Sequence, residues 1–204
     1  MAVFKLKLAF LLYVAIKEKF MTEKEKMLKG LLYDANNDHE LIKERNLCKE
    51  LCVEYNNLSY SDEQQKKALL KKILGKIGTK CIIEPNFYCD YGYNIEIGEN
   101  FYINHNSVFL DEAKITIGNN VFIGPNCGFY TASHPLEADL RNKGLETAQA
   151  ITIGNNVWIG GNVCILGGVT IGDNAVIGAG SVVTKDIPEN SVAFGNPCQV
   201  KRKI

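Results

Sequence analysis

The sequence predicts a mainly β protein, a β-helix of stacked coils that follows a short α-helical segment. The first observation is a spacing of six between aliphatic residues in the second half of the chain, from Ile153 to Val183. An α-helix repeats every 3.6 residues and an isolated strand every 2, so neither produces this spacing. A solenoid does, because each hexapeptide supplies a short strand and a corner, with the aliphatic side chain pointing inward. The second observation is a series of helix-start signals upstream of the repeats.

The same period extends towards the N-terminus. Aliphatic or aromatic residues again stand six apart in two shorter runs, and glycine or asparagine often follows them. These two residue types tolerate the positive φ that a tight corner needs, so we expect them to shape the corners. The recurring residues of these runs are Ile97, Ile103, Phe109, Ile117, Ile123 and Phe129.

Two interruptions break the period. The step from Phe109 to Ile117 is eight residues, which predicts that two extra residues between 111 and 114 bulge out of a corner. Residues 135–150 have no aliphatic period and are charged, so we expect them to form a loop extruded from the stack. Loops on rigid scaffolds often carry function, and both interruptions are therefore candidate functional regions.

Three helices are predicted before the repeats. Each begins with a residue whose side chain can accept a hydrogen bond from the backbone of the first turn. The signals are Thr22 with Glu25, Asp38 for a helix to about Asn56, and Ser61 with Gln64. We expect this helical segment to cover the open end of the solenoid.

The N-terminal 20 residues are treated separately. Their apolar run, Leu8 to Ile16, is nine residues long, well below the ~20 needed to cross a bilayer as a helix. Lysines precede the run, but no small-residue cleavage site follows, so an N-terminal extension is favoured over a signal peptide. A membrane-surface helix is the alternative. The predicted organisation is an extension at 1–20, a helical segment at 21–76, the β-helix at 77–188 and a C-terminal tail at 189–204.

Composition narrows the function classes. Basic and acidic residues number 23 each, so the formal net charge is zero and nothing indicates a nucleic-acid-binding protein. The seven cysteines are odd in number and none forms a CxxC pair. Reduced, mostly buried thiols are the favoured interpretation, and they predict a cytoplasmic protein.

His134 is the most suggestive of the three histidines. It lies in TASHP, where the repeat breaks and the charged segment begins. An imidazole with a pKa near neutrality can accept a proton from an alcohol, as the general base of an acyl transfer does. The alternative is a turn histidine with no chemical role. His39 and His105 are expected to be structural, and a metal site built from the three is not expected because they lack ligand spacing.

Several stretches, taken together, resemble the maltose/galactoside O-acetyltransferases of the hexapeptide-repeat class. They agree in order as well as in sequence, from about Met21 to the C-terminus. The stretches are EKEKMLKGLLYDA, EPNFYCDYGYNIEIGENFYIN, TASHP, ITIGNNVWIGGN, GVTIGDNAVIGAGSVVTKDIP and GNPCQVKRKI. The resemblance implies a left-handed parallel β-helix with triangular coils, acetyl-CoA as the donor, no metal, and a homotrimer whose active sites lie between subunits.

The resemblance assigns three catalytic residues. His134 matches the family's catalytic histidine and would take the proton from a sugar hydroxyl. Asn104 matches the asparagine beside the reacting centre, where its amide could donate to the developing oxyanion; without the resemblance, a corner residue in the left-handed region is preferred. Glu146 could orient His134 and fix its tautomer, as an acidic partner does in a triad, or could be a solvated loop carboxylate.

Five further positions resemble the family's sugar-contacting residues: Asp34, Arg45, Asp90, Tyr102 and Glu112. Carboxylates accept hydrogen bonds from hydroxyls, arginine donates, and tyrosine offers a ring face with a polar tip. Structural roles are open for three of them. Asp34 could be a turn residue, Arg45 could pair with carboxylates on its own helix, and Glu112 could solvate the bulge. Asp90 is acidic where some relatives carry serine.

A third group matches positions that line the coenzyme groove. Small residues there would expose the backbone to the pantetheine arm, and cations would hold the phosphates. The group comprises Asn104, Trp158, Gly161, Ala179, Thr184, Lys185 and Arg202. For Thr184 and Lys185 a solvent-facing strand end is the alternative. Gln199 stands where relatives often have arginine, so Lys201 could supply one phosphate contact.

The predicted function is transfer of an acetyl group from acetyl-CoA to a hydroxyl of a sugar resembling maltose, glucose or a galactoside. The alternatives are a serine or xenobiotic O-acetyltransferase of the same superfamily and a non-catalytic trimeric scaffold. The acceptor pocket is predicted between the two interruptions, with the coenzyme along the unbroken coils from Ile153 to Val183. No membrane partner is expected.

Overall fold

The computed structural model describes residues 20–204, a solenoid with a helical segment packed against its first coil. The predicted N-terminal extension, 1–20, lies outside the described residues except for its last residue. Within 20–204, every helix is too short or too polar to span a bilayer.

Three helices precede the solenoid, as predicted. They are α1 (Glu23–Leu28), α2 (His39–Asn56) and α3 (Glu63–Ile73). Thr22 and Glu25 form the expected reciprocal capping box, and the Asp38 side chain accepts a hydrogen bond from the first turn of α2. The predicted start of α3 is wrong by one residue. Asp62 occupies the cap position, whereas the Ser61 hydroxyl forms a hydrogen bond with the Ser59 hydroxyl.

The solenoid has three faces of parallel strands, paired in register from coil to coil. The first face comprises β2 (Lys76–Ile77), β5 (Ile95–Ile97), β8 (Ile115–Ile117), β13 (Ile151–Ile153) and β16 (Thr170–Ile171). The second comprises β3 (Cys81–Ile83), β6 (Phe101–Ile103), β9 (Phe122–Ile123), β14 (Trp158–Ile159), β17 (Val176–Ile177) and β19 (Ser191–Phe194). The third comprises β4 (Phe87–Cys89), β7 (Ser107–Leu110), β10 (Gly128–Tyr130), β15 (Cys164–Leu166) and β18 (Val182–Val183). The predicted β-helix is confirmed.

Aliphatic and aromatic residues of the six-residue period fill the interior, as the sequence predicts. Ile153, Ile159 and Ile165 are fully buried. Because parallel strands stack in register, each inward side chain meets its equivalent in the next coil. Phe109 stacks on Phe129 with ring centroids 4.4 Å apart. Such pairs contribute about 0.5–1.5 kcal/mol beyond the area that they bury.

The corners use glycine differently from the expectation. Gly118, directly after an inward isoleucine, does not have positive φ; it is required because a Cβ there would lie 2.6 Å from the Gly154 carbonyl oxygen of the next coil. The left-handed position falls two residues later, on Asn120 and its equivalents such as Asn156, with φ of 56° and 57°. Glycine therefore permits the close stacking of coils, and asparagine turns the chain.

The charged segment after His134 is a hairpin rather than an irregular loop. The hairpin begins with β11 (Ala132–Ser133), just before His134, and continues through the single-turn helix α4 (Ala138–Arg141) to β12 (Leu145–Ala148). The strand β12 also pairs antiparallel with β1 (Tyr33–Asp34) of the helical segment. This three-stranded sheet joins the hairpin to the N-terminal helices, so the predicted extrusion folds back onto the protein.

The two extra residues lie between β7 and β8, as predicted, but they do not bulge into solvent. Asp111 is 0% exposed and Glu112 is 4% exposed. Asp111 accepts hydrogen bonds from the backbone of Asp90 and Tyr91, and Tyr91 packs in the apolar cluster of the helical segment. The N-terminal segment therefore covers this corner.

The outer surfaces of the faces differ in polarity. The middle row of the first face is polar, with Lys76, Glu96, Thr116, Thr152 and Thr170 in register. The corresponding row of the second face is apolar or aromatic, with Ile82, Tyr102, Phe122, Trp158, Val176 and Val192. Contiguous exposed apolar surface of this kind marks an interaction site.

The coils continue into the segment predicted as a C-terminal tail. The strand β19 pairs parallel with β17 and so belongs to the second face. The last strand, β20 (Gln199–Lys203), then returns antiparallel along β19. The polar end of the chain thereby covers the outer edge of the stack.

Candidate active site

His134 lies at the corner between the third and first faces, immediately after β11. Its side chain is 51% exposed. Nδ1 is 3.2 Å from the Leu145 carbonyl oxygen. A carbonyl only accepts hydrogen bonds, so Nδ1 carries the proton and donates it to Leu145. Nε2 then keeps its lone pair, and this is the tautomer that a general base requires.

Glu146 does not hold His134 in the way a triad carboxylate would. Its Oε1 is 3.9 Å from His134 Nε2, too far for a hydrogen bond and on the side of the ring opposite Nδ1. The Tyr33 hydroxyl donates to Glu146 Oε2 at 2.8 Å. The Leu145 carbonyl therefore sets the tautomer, and the Glu146 carboxylate lies near Nε2, where it would stabilise an imidazolium.

Three carboxyl groups lie together under the helical segment, at the same corner. Asp90, Asp111 and Glu112 are all buried. Lys49 Nζ is 3.1 Å from Asp90 Oδ1, which balances one negative charge. Burial raises the pKa of Glu112, and the adjacent Asp90 raises it further. A protonated Glu112 can donate as well as accept a hydrogen bond, which suits recognition of a hydroxyl.

Asp111 is the most deeply buried member of this carboxyl group. Burial, and to a smaller extent the charge of Asp90, raise the pKa of Asp111 to about 7. Hydrogen bonds from backbone N–H groups oppose this increase. Its Oδ2 has no hydrogen-bond partner among the described residues. The neutral acid is therefore the form that the fold favours.

The free energy of unfolding should depend on pH through Asp111. Its pKa in the folded protein is raised, so the stabilisation is complete below the ordinary aspartate pKa and is lost as pH rises to about 7. The slope is roughly 1.4 kcal/mol per pH unit for one group. Urea unfolding between pH 4.5 and 7.5 should show this loss together with that of Glu112, whose pKa is raised in the same direction, and Asp111→Asn should reduce the slope by the share of one group. The surface variant Asp62→Asn is the control; an unchanged slope in Asp111→Asn would contradict the assignment.

Two of the proposed sugar contacts belong to the helical segment. Asp34 accepts hydrogen bonds from the backbone of Asn36 and Asn37, so it holds a turn as well as lying beside the hairpin. The Arg45 guanidinium donates to the Tyr91 hydroxyl at 3.3 Å and to the Ala35 carbonyl at 3.2 Å, rather than to carboxylates of its own helix. Both residues thus lie on the same side of the solenoid as the buried carboxyl groups.

Asn104 lies at a different corner, between the second and third faces. Its φ is not positive, so the alternative of a left-handed corner residue is wrong; Asn106 takes that role. The Asn104 side chain accepts a hydrogen bond from the His105 backbone at 2.7 Å. The four-residue strand β7 separates this corner from the one bearing Glu112 and His134, a distance of about 13 Å.

The residues matched to the coenzyme groove also divide between corners. Gly161 and Ala179 occupy the same corner as Asn104 in successive coils, and Gly180 donates to the Gly161 carbonyl at 2.9 Å. Trp158, which is 60% exposed, and Tyr102 lie on the adjoining second face with Phe122 between them.

The remaining residues of the coenzyme group lie elsewhere. Thr184 and Lys185 are exposed at the corner between the third and first faces, as His134 is. Arg202 is exposed on β20, opposite Val192. Lys201 Nζ donates to Gln199 Oε1 at 3.2 Å, so these two residues form one polar group at the chain end.

Apart from Arg202 on β20, the predicted site residues therefore form two sets in one chain. The first set, with Asn104, Tyr102, Trp158, Gly161 and Ala179, lies at the corner between the second and third faces and on the second face. The second set, with His134, Glu146, Asp34, Arg45, Asp90, Glu112, Thr184 and Lys185, lies at the opposite corner. One chain does not bring Asn104 and His134 together.

Several contributors were missed by sequence reasoning. Tyr33 and Tyr91 hold Glu146 and Arg45 through their hydroxyls, and the Leu145 carbonyl orients His134. A backbone carbonyl leaves no signal in a sequence. The position of Tyr33, directly before Asp34 in a short alternating stretch, was the one usable signal for its side chain.

Comparisons with known proteins agree with this architecture. A family profile described as the maltose acetyltransferase hexapeptide capping motif matches residues 26–78. Profiles for the bacterial transferase hexapeptide (six repeats) and for the hexapeptide repeat of succinyl-transferase match residues 150–185 and 114–132. The galactoside O-acetyltransferase of Lactococcus lactis is 46% identical over 169 residues, covering 82% of this chain and 82% of that protein.

Solved structures give the same result. A maltose O-acetyltransferase from Clostridium difficile is 54% identical, with a TM-score of 0.88 over 90% of this chain and 98% of that one. A galactoside acetyltransferase in complex with coenzyme A is 44% identical, with a TM-score of 0.86 over 90% and 92% of the two chains. The enzyme class predicted from the sequence is thereby confirmed. The chain belongs to the maltose/galactoside O-acetyltransferase family of hexapeptide-repeat acetyltransferases.

Proposed function

We propose that the protein transfers the acetyl group of acetyl-CoA to a hydroxyl of a sugar, in a site shared by neighbouring subunits of a homotrimer. The observation that supports this most is the separation of Asn104 from His134 by about 13 Å of strand. Reacting groups must approach within about 3–3.5 Å, so the two sets of residues require two chains. A head-to-tail ring repeats the same contact at every interface.

The chemistry assigns one step to each residue. His134 Nε2 takes the proton of the acceptor hydroxyl as that oxygen attacks the thioester carbonyl. The Asn104 amide of the neighbouring subunit donates to the oxyanion that forms. Collapse of the tetrahedral intermediate breaks the C–S bond, and the departing thiolate receives the proton from His134. The acetyl ester and free coenzyme A result, and the histidine is neutral again.

The pantetheine arm of the coenzyme fits the first set of residues. A galactoside acetyltransferase of the family binds coenzyme A. In this chain Gly161 and Ala179 carry no bulky side chain at a stacked corner, so the pantetheine arm can lie along the backbone there. The Trp158 ring offers an exposed apolar surface beside it. Lys185, from the second set, and Arg202, on β20, are cations suited to the phosphates.

The acceptor fits the second set of residues. Asp34, Arg45, Asp90 and Glu112 supply acceptors and donors under the helical segment, and several such groups are needed to orient a polyhydroxyl compound.

The apolar row of the second face, including Phe122, would be buried against the neighbouring subunit. All seven cysteines are free thiols, which supports a reducing compartment such as the cytoplasm.

The test is acetyl-CoA-dependent thiol release with a panel of acceptors. Maltose, glucose and a galactoside should raise the rate well above that without acceptor, and mass spectrometry should find one acetyl ester in the product. A higher kcat/KM with serine or with an aromatic alcohol would favour the alternative members of the superfamily. No acceptor-dependent release with any of them would support the scaffold. A monomer at micromolar concentration would contradict the shared site.

A further inference from the structure

A cluster of three cysteines lies apart from the acetyl-transfer chemistry. Cys48 and Cys52 are one turn apart on the same side of α2, and Cys89 ends β4. All three are buried. Their sulfur atoms lie within 4.8 Å of one another, with Cys89 Sγ 3.5 Å from Cys48 Sγ and 3.7 Å from Cys52 Sγ. Two elements far apart in sequence therefore direct three thiols at one point.

The sulfur separations suit a shared cation. A disulfide needs an S–S distance of about 2.05 Å, far shorter than either separation. Sulfurs bound tetrahedrally to zinc at about 2.3 Å lie about 3.8 Å apart. The two measured separations, 3.5 and 3.7 Å, are close to that value. Small movements of the side chains would bring all three sulfurs to one ion.

A cavity adjoins the cluster at Cys89. The cavity, of about 320 Å³, is lined by Lys49, Val53, Cys89, Asp90 and their neighbours on the third face. Among the residues that the structure describes, no fourth histidine, cysteine or carboxylate joins the three sulfurs at the same distance. Water from this cavity could complete a tetrahedral site.

We propose that Cys48, Cys52 and Cys89 bind one divalent d10 cation of the zinc class, at a structural site outside the acetyl-transfer site. Thiolates select thiophilic ions over Mg²⁺ or Ca²⁺. Each coordinating thiol releases its proton to solvent, and the ion neutralises two of the three negative charges that result.

The site would fasten α2 to the solenoid next to the acceptor residues. Lys49 follows Cys48 and Asp90 follows Cys89, and these two neighbours form the ion pair at 3.1 Å. Arg45 lies one turn earlier on the same helix. A bound ion would therefore hold both elements that carry the proposed sugar contacts, without contacting the substrate.

Cadmium is the spectroscopic probe for this site. The full-length, reduced and metal-free protein is titrated with Cd²⁺, and the sulfur-to-cadmium charge-transfer absorption is followed. The band should grow to one ion per chain and then stop. Cys52→Ser and Cys89→Ser should weaken binding by roughly 100-fold or more. Cys164→Ser, at a half-buried thiol on β15, is the matched control and should bind as the wild type does.

A second measurement separates binding from misfolding. Zn²⁺ should raise the Tm of the wild type and of Cys164→Ser but not that of Cys52→Ser, because it binds the folded state of the first two. The proposal is overturned if the wild type gives no band at one equivalent, or if Cys52→Ser and Cys89→Ser bind cadmium as tightly as Cys164→Ser. In either case the three thiols are apolar core residues. Neither outcome depends on acetyl transfer.

Discussion

Replacing His134 with alanine is expected to lower kcat by roughly 10²- to 10⁴-fold, which is the usual contribution of a general base. The KM for acetyl-CoA should change little, because the residues matched to the pantetheine arm, Gly161 and Ala179, are unchanged in this variant. The measurement is steady-state thiol release from acetyl-CoA with a sugar acceptor. The fold should persist, since the side chain is half-exposed and makes one hydrogen bond, to the Leu145 carbonyl.

The matched control is His39→Ala. His39 is exposed in the first turn of α2 and lies outside both sets of site residues. Its loss should leave kcat unchanged. A His134→Ala variant with near-wild-type turnover would exclude the proposed mechanism and would return His134 to the role of a turn residue.

Mixing two inactive variants is expected to restore about a quarter of the wild-type turnover per site. The variants are Asn104→Ala, which removes the oxyanion donor at a cost of about 10²- to 10³-fold in kcat, and His134→Ala. In a head-to-tail trimer each site takes Asn104 from one subunit and His134 from the next. With random assembly at equal amounts, each intact residue is present with a chance of one half, so about one site in four has both.

The control for the mixture is a double variant, Asn104→Ala with His134→Ala, combined with His134→Ala alone. No arrangement of those chains contains an intact histidine, so turnover should stay at the background. Native mass spectrometry verifies that mixed trimers form. Background activity in verified mixtures of the two single variants would show that the sites are not shared in the proposed way.

The coil stack could be predicted from the sequence because its period is local. Every inward residue, such as Ile159, has the same environment as its equivalent in the next coil. The pattern therefore recurs at a fixed spacing along the sequence. The helix caps at Thr22 and Asp38 are equally local. The role of the corner glycines was misjudged because Gly118 is required by contact with another coil, which a single hexapeptide does not reveal.

The site was less predictable because tertiary contacts build it. The segment after His134 reads as a charged loop, yet it pairs with Tyr33 and Asp34 more than a hundred residues away. Glu112 reads as a solvated bulge residue, yet the N-terminal segment covers it. Motif resemblance identified candidate side chains, but their partners depend on which segments meet, and long-range pairing has no local signature.

Because β12 pairs antiparallel with β1, the candidate acceptor and donor sites belong to two different parts of the chain. The hairpin that carries His134 is attached to the helical segment that carries the proposed sugar contacts, whereas the candidate coenzyme corner with Gly161 and Ala179 belongs to the coils. Substitutions in the helical segment can therefore retune acceptor choice while the coils keep a constant donor site. During evolution, such a protein could change its acceptor through the helical segment while the coenzyme-binding residues of the coils stay the same.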